Sequence, residues 1–243
     1  MIETTTHGDV AVLTLDHGPV NALDVELLRA LPDALGAAGD APVVLTGAGR
    51  SFSAGVDLKR IVDGGVPYVA EFLPALSAAF LAVFDHPRPV VAAVNGHALA
   101  GGCVLAAACD VRLMSGGTIG LTELAAGVPF PTVPIEVMRH VVGPAVDRLV
   151  LTAARLDPAE ARRVGLVHEV VTEDLLATAV SSASKLAAVP APVYARAKRQ
   201  LREPAHARIA ARRDVDDPGV TALWGDAGTL ARLRDYLASL AKR

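Results

Sequence analysis

The chemistry this chain could perform gathers in two glycine-opened turns and around one isolated acid. Residues 89–110 read PVVAAVNGHALAGGCVLAAACD. Within them, 90–94 is a Val-rich apolar run bounded by Pro89 and by Asn95-Gly96, the pattern of a buried strand ending in a turn. A second apolar run follows, and Gly101-Gly102 stands at the start of its helical part, 103–109. Adjacent glycines leave the free N–H groups of a helix start unshielded, and the helix dipole adds positive potential there. Such a place receives negative charge, either a phosphate or a carbonyl oxygen becoming an oxyanion. The same glycines would equally serve close packing of the helix on a strand.

A second turn follows the predicted strand at 42–46 and reads GAGRSFSAGVDL over 47–58. A dinucleotide-binding fingerprint would need a third glycine where Phe52 stands. A G-x-S-x-G nucleophile elbow fails as well, because Phe52-Ser53 follows Ser51. What remains is a loop ending in Ala54-Gly55, after which the backbone N–H of Val56 could be presented; an ordinary connecting loop is the alternative. The acid is Glu123, set among apolar neighbours in IGLTEL, 119–124. Buried there without a partner, its pKa would rise toward the range useful for proton transfer. Capping a helix or pairing with an arginine would explain it too.

These residues need a scaffold, and the periodicities outline one. β-Branched residues on either side of His7-Gly8-Asp9 predict a hairpin. Asp24 is a candidate N-cap for a helix over 25–35, with Leu27, Leu28, Leu31 and Leu35 at helical spacing. A long helical pattern over 61–84 is interrupted near its start by Gly64-Gly65 and Pro67, and such interrupted segments often line pockets. Strand, loop and helix recur from Val43, Val90 and Val111, which suggests parallel crossovers in an α/β protein. Asp157-Pro158 starts another helix, 165–171 leads into a strand, and from Leu175 the pattern is helical to the end.

Composition removes several function classes. With 52% hydrophobic and 20% charged residues, the chain has ample material for a core, and long disorder is unexpected. A net charge of −3 and an aromatic content of 4% argue against nucleic-acid binding. Cys103 and Cys109 lie in an apolar run and read as reduced core residues, which fits a cytoplasmic setting. MIETTTHGDV has no basic region followed by an apolar one, so no secretory leader is expected. The apolar run at 98–109 is too short to span a bilayer, and no membrane partner is expected. No histidine sits in a ligand-like pair, so no metal site is expected. Residues 194–213 carry seven Lys or Arg and one acid, a stretch that could meet phosphates or simply face solvent.

Taken together the motifs resemble the crotonase superfamily, the enoyl-CoA hydratase/isomerase family, over nearly the whole chain. The resemblance rests on Pro19-Val20-Asn21-Ala22-Leu23, the loop from Phe52 to Leu58, Asn95-Gly96 leading to Gly101-Gly102-Cys103, Cys109-Asp110, the Glu123 segment, and EARRVGLVHEVV at 160–171. It implies a spiral of β-β-α turns over 1–190 and a helical region over 191–243 that mediates homotrimers, often paired into hexamers. It further implies an oxyanion hole made by the backbone N–H groups of Val56 and Gly101. That hole would hold the thioester carbonyl of an acyl-CoA, with Ala54, Gly55, Val56, Asp57 and Leu58 contacting the substrate. The basic stretch near Lys198 would reach CoA phosphates. Coenzyme A is part of the substrate, and no cofactor is implied.

The catalytic acids separate the members of this family. The hydratase pattern has one glutamate three residues beyond the oxyanion glycine and a second aligned with Glu123; here the first position is Val104. A valine can neither position nor deprotonate water. IGLTE at 119–123 is similar to the IGLNE of mitochondrial-type Δ3,Δ2-enoyl-CoA isomerases, and LRDYL at 233–237 also matches that group. The resemblance therefore implies an isomerase in which Glu123 is the one acid/base. A hydratase, another crotonase reaction such as thioester hydrolysis, and a non-catalytic acyl-CoA-binding protein are the alternatives.

Overall fold

A computed structural model describes residues 1–240. β1 (Ile2–His7) and β2 (Val10–Leu15) form the expected antiparallel hairpin, with Ile2 opposite Leu15 and His7 opposite Val10. α1 (Val25–Ala37) follows, its Asp24 N-cap accepting from Leu27 N–H at 2.8 Å. The chain then repeats one unit: a strand of a large sheet, a short strand of a second sheet, and a helix. The first unit is β3 (Val43–Gly47), β4 (Ser51–Ser53) and α2 (Leu58–Phe84); the second is β5 (Val90–Val94), β6 (His97–Leu99) and α3 (Gly101–Ala108). The third is β7 (Val111–Met114), β8 (Ile119–Gly120) and the single turn α4 (Glu123–Ala126). Beyond it lie α5 (Thr132–Val142), α6 (Ala145–Leu151), β9 (Arg155–Leu156), α7 (Pro158–Arg163), β10 (Glu169–Val170), α8 (Leu175–Ala187), α9 (Ala191–Gly225) and α10 (Ala227–Leu240).

The large sheet has the order β1-β2-β3-β5-β7-β10 and is parallel from β2 onward. The small one runs β4-β6-β8-β9, with β9 antiparallel to β8. This is the α/β spiral of β-β-α turns, followed by helices. Strands β3 and β5 read as unbroken apolar runs because both faces of the large sheet are covered. Leu45, Val90, Ala92 and Val94 face the main core with α1, α2 and α3, whereas Val44, Val91 and Ala93 pack on Ala179 and Ala183 of α8.

Some boundaries differ from the sequence expectation for local reasons. α2 starts at Leu58, ahead of the apolar pattern, because Asp57 Oδ1 accepts from Arg60 N–H at 3.1 Å and caps it. It kinks at Gly65, whose φ of 57° and ψ of −148° suit only glycine. By length and composition α2 is apolar enough to cross a bilayer, yet Phe72, Leu73, Leu76, Phe80 and Val83 are buried in the main core. α3 begins at Gly101 rather than at Cys103, since the Ala100 carbonyl already accepts from Cys103 N–H (2.9 Å) and Val104 N–H (3.2 Å). Ala205, Ile209 and Trp224 of α9 and Leu233 of α10 join the same core as the spiral.

The basic stretch of α9 does not present Lys198 to a ligand. Lys198 Nζ and Arg202 Nη2 each lie 2.8 Å from Asp110, on separate carboxylate oxygens, and both side chains are buried. Buried cations need partners, and Asp110 supplies one to each while also accepting from Val90 N–H at 2.8 Å. Arg202 in addition lies over the Phe84 ring. These contacts lock α9 to the ends of β5 and α3.

Candidate active site

Glu123 is the first helical residue of α4, and Gly127 ends that turn in the left-handed region at φ 83°. Val128 N–H returns to the Glu123 carbonyl at 3.1 Å, and Trp224 Nε1 donates to the Pro129 carbonyl at 2.8 Å, so α9 holds the segment that follows. The Glu123 side chain is buried, and its Oε2 has no hydrogen-bond partner among the described residues. Burial pushes its carboxyl up to about 8, against a smaller opposing pull from the backbone amides of Glu123 and Thr122. Among the described residues no cation offsets the burial. A carboxyl held so is neutral at low pH and becomes a base near neutrality.

Glu123 opens onto a cavity of about 490 Å³. Ala54, Val56, Asp57 and Leu58 line it from the loop before α2; Leu99 and Ala100 from the turn before α3; Pro19, Val20 and Ala22 from the turn before α1. Lys59, Thr122, Ala126, Val128, Arg155 and Trp224 complete the wall, together with Tyr236 and Leu237 of α10. A larger cleft of about 630 Å³ between α2 and α9 offers no comparable buried acid, since its Asp214 is exposed and its Asp217 accepts from the N–H and hydroxyl of Thr132.

Gly55 and Gly101 are not lining residues; they shape the backbone behind the wall. A Cβ on Gly55, where φ is 89°, would lie 2.6 Å from the Leu99 carbonyl oxygen and 3.2 Å from the Gly101 nitrogen. The two loops therefore touch through a bare glycine, which lets the start of α3 pack against the loop that leads into Val56. Neither the Val56 N–H nor the Gly101 N–H has a partner within the described residues. Ala100 sits at φ 50° and ψ −126°, a strained geometry for a residue with a Cβ, at the turn that aims the Gly101 N–H. Gly102 answers the packing alternative, since a Cβ there would meet the Ser53 carbonyl at 2.3 Å. One glycine leaves its amide free and the other allows close approach.

The rest of the loop is stitched from below. Asn21, at φ 51°, donates from Nδ2 to the carbonyls of Ala48 (3.1 Å) and Ser51 (2.9 Å), while Ser53 Oγ donates to the Asn21 carbonyl at 2.7 Å. This explains why Pro19-Val20-Asn21-Ala22-Leu23 and the 52–58 loop belong together. Asp57 lines the cavity but is committed to capping α2. Val104 is fully buried in the main core and absent from the wall. Sequence reasoning missed Thr122, Arg155 and Trp224; only the last, as the chain's one tryptophan, carried a signal.

A β-β-α spiral with an unpaired buried carboxyl on its cavity wall is the scaffold of a crotonase-type enzyme. The chain belongs to the enoyl-CoA hydratase/isomerase family, which it matches over residues 5–222. Human mitochondrial Δ3-Δ2-enoyl-CoA isomerase superposes with a TM-score of 0.93, at 28% identity, covering 99% of this chain and 98% of that one. In sequence the chain is 34% identical over 203 residues to a putative enoyl-CoA hydratase of Thermus thermophilus, covering 80% of each. It is 34% identical over 190 residues to a carnitinyl-CoA dehydratase of Citrobacter koseri, covering 75% of this chain and 71% of that protein.

Proposed function

We propose that this enzyme is a Δ3,Δ2-enoyl-CoA isomerase in which Glu123 is the only acid/base. The observation that carries the reading is that Glu123 is the one uncommitted carboxyl on the cavity wall among the described residues: Asp57 is spent on a helix cap and position 104 holds a buried valine. Hydration requires a water to be held and deprotonated while the double bond is protonated, and one carboxyl with no second acid serves that poorly. Moving a double bond needs a single base. Glu123 takes the proton from C2 of a 3-enoyl-CoA, the electrons shift to place negative charge on the thioester oxygen, and the same carboxyl returns the proton at C4.

The thioester oxygen of the dienolate would lie between the Val56 and Gly101 amides, whose hydrogen bonds strengthen as charge develops there. The apolar wall of Val20, Leu99, Val128 and Leu237 excludes water, so the abstracted proton stays on Glu123. The test is turnover of 3-hexenoyl-CoA, followed as conjugated enoyl-thioester absorbance. Glu123→Gln should lower kcat by at least about 10³-fold while acyl-CoA binding persists. Full turnover in that variant would end the proposal.

A further inference from the structure

The charged residues on the cavity wall do not all have an occupation. Asp57 caps α2, Lys59 pairs with Asp63 at 2.5 Å, and Glu123 is the proposed base. The Arg155 guanidinium alone makes no ion pair, hydrogen bond or ring contact within the described residues, although the residue lines the same cavity. Its position is fixed by the small sheet, where Arg155 stands directly opposite Gly120 at the end of the β8–β9 pair. A Cβ on Gly120 would lie 2.0 Å from the Ala154 carbonyl and 3.0 Å from the Arg155 Cα, so glycine there lets β9 approach. Glu123 is three residues along from Gly120, which sets Arg155 beside the segment that carries the base. The guanidinium is not among the groups that draw the Glu123 carboxyl down.

We infer that Arg155 is a specificity-determining residue that selects acyl groups bearing an anionic end, a carboxylate beyond the reacting carbons being the simplest case. This rests on the acyl-CoA reading above. An otherwise apolar wall would accept a hydrocarbon tail without any cation. An unpaired guanidinium at its edge instead offers a planar fork that matches a carboxylate in two parallel hydrogen bonds. Proximity to the Glu123 segment favours a group attached to the acyl chain over the phosphates at the far end of CoA, which the whole pantetheine arm separates from the reacting carbons.

The experiment compares binding of hexanoyl-CoA and adipoyl-CoA, which differ in the terminal carboxylate and carry no double bond, by calorimetry on wild type, Arg155→Leu and Arg155→Lys. Binding is read without turnover, so failure of the isomerase reading does not disturb it. The side chain is exposed, so all three proteins should melt alike. Arg155→Leu should weaken adipoyl-CoA about tenfold, equivalent to about 1.4 kcal/mol, and hexanoyl-CoA less than about twofold. Arg155→Lys should recover part of the loss. An equal loss for both ligands would assign Arg155 to the CoA moiety and overturn the inference. No loss for either, or no acyl-CoA binding by wild type, would overturn it too.

Discussion

Leu23 and Val56 face each other in an isolated parallel bridge, with Leu23 N–H donating to the Gly55 carbonyl at 2.8 Å and Asp57 N–H donating to the Leu23 carbonyl at 2.9 Å. Because Leu23 bonds to the residues on either side of Val56, the Val56 amide must point to the opposite edge, where the cavity lies. The motif around Asn21 thus sets the direction of a backbone donor that has no side chain to aim it.

Gly55→Ala tests that arrangement. The new methyl would be strained at φ 89° and driven against the Leu99 carbonyl and the Ala100 Cβ, pushing the loops apart. Loss of one oxyanion donor costs about 10²–10³ in kcat, so kcat for a 3-enoyl-CoA should fall by that order while KM changes little. Retention of wild-type kcat would show that the two amides do not act together on the thioester oxygen.

The pH profile follows from the raised Glu123 carboxyl. As a base it must be ionised, so kcat/KM should climb about tenfold per pH unit below about 8 and level off above. A profile already flat from about pH 5 upward would mean that the base titrates in the ordinary carboxylate range.

Stability should show the same group with the opposite sign. The folded-state pKa of about 8 exceeds the ordinary 4.5, so between those values the folded protein holds a proton that the unfolded chain has released. Stability contributed by the neutral acid is complete below 4.5 and is lost as pH rises through 8. Glu123→Gln cannot titrate. Its melting temperature should match wild type near about pH 5 and exceed it by about 4 °C or more near about pH 9. A gap independent of pH would contradict burial of the free carboxyl.

Asp110 holds two buried cations, and removing its charge should expose what that pairing does. Asp110→Asn leaves Lys198 and Arg202 buried without a counter-charge, an imbalance of about 3–5 kcal/mol. The expected drop in melting temperature is about 10 °C. Because the cluster lies outside the cavity wall, kcat measured where the variant is folded should be unchanged. A large fall in kcat without a fall in stability would instead tie Lys198 to the substrate.

The legible features of this chain were those written in local pattern. The hairpin, the Asp24 cap, the Gly64-Gly65 interruption and the Val-rich strands each follow from residues within a few positions of one another. The second sheet leaves no periodic signal of its own, because its strands span two or three residues, too few to show alternation. Isolation of Glu123 among apolar neighbours pointed to burial, but whether an arginine met it depended on tertiary packing. The pairing of Lys198 with Asp110 spans 88 residues and left no trace in spacing, so a solvated or phosphate-facing stretch was the natural expectation. Arg155 was invisible for a similar reason, since only the β8–β9 register brings it to the cavity.

The central claim is that one glutamate moves a double bond and adds no water. Its most direct test offers the purified enzyme 3-hexenoyl-CoA and 2-hexenoyl-CoA in parallel and follows conjugated enoyl-thioester absorbance, with Glu123→Ala as control. The account predicts a rise with the 3-enoyl substrate that the control lacks, and with the 2-enoyl substrate only relaxation to the same equilibrium mixture, with no 3-hydroxyhexanoyl-CoA formed. A fall with 2-hexenoyl-CoA, with 3-hydroxyhexanoyl-CoA as product, would contradict it by showing hydration despite Val104.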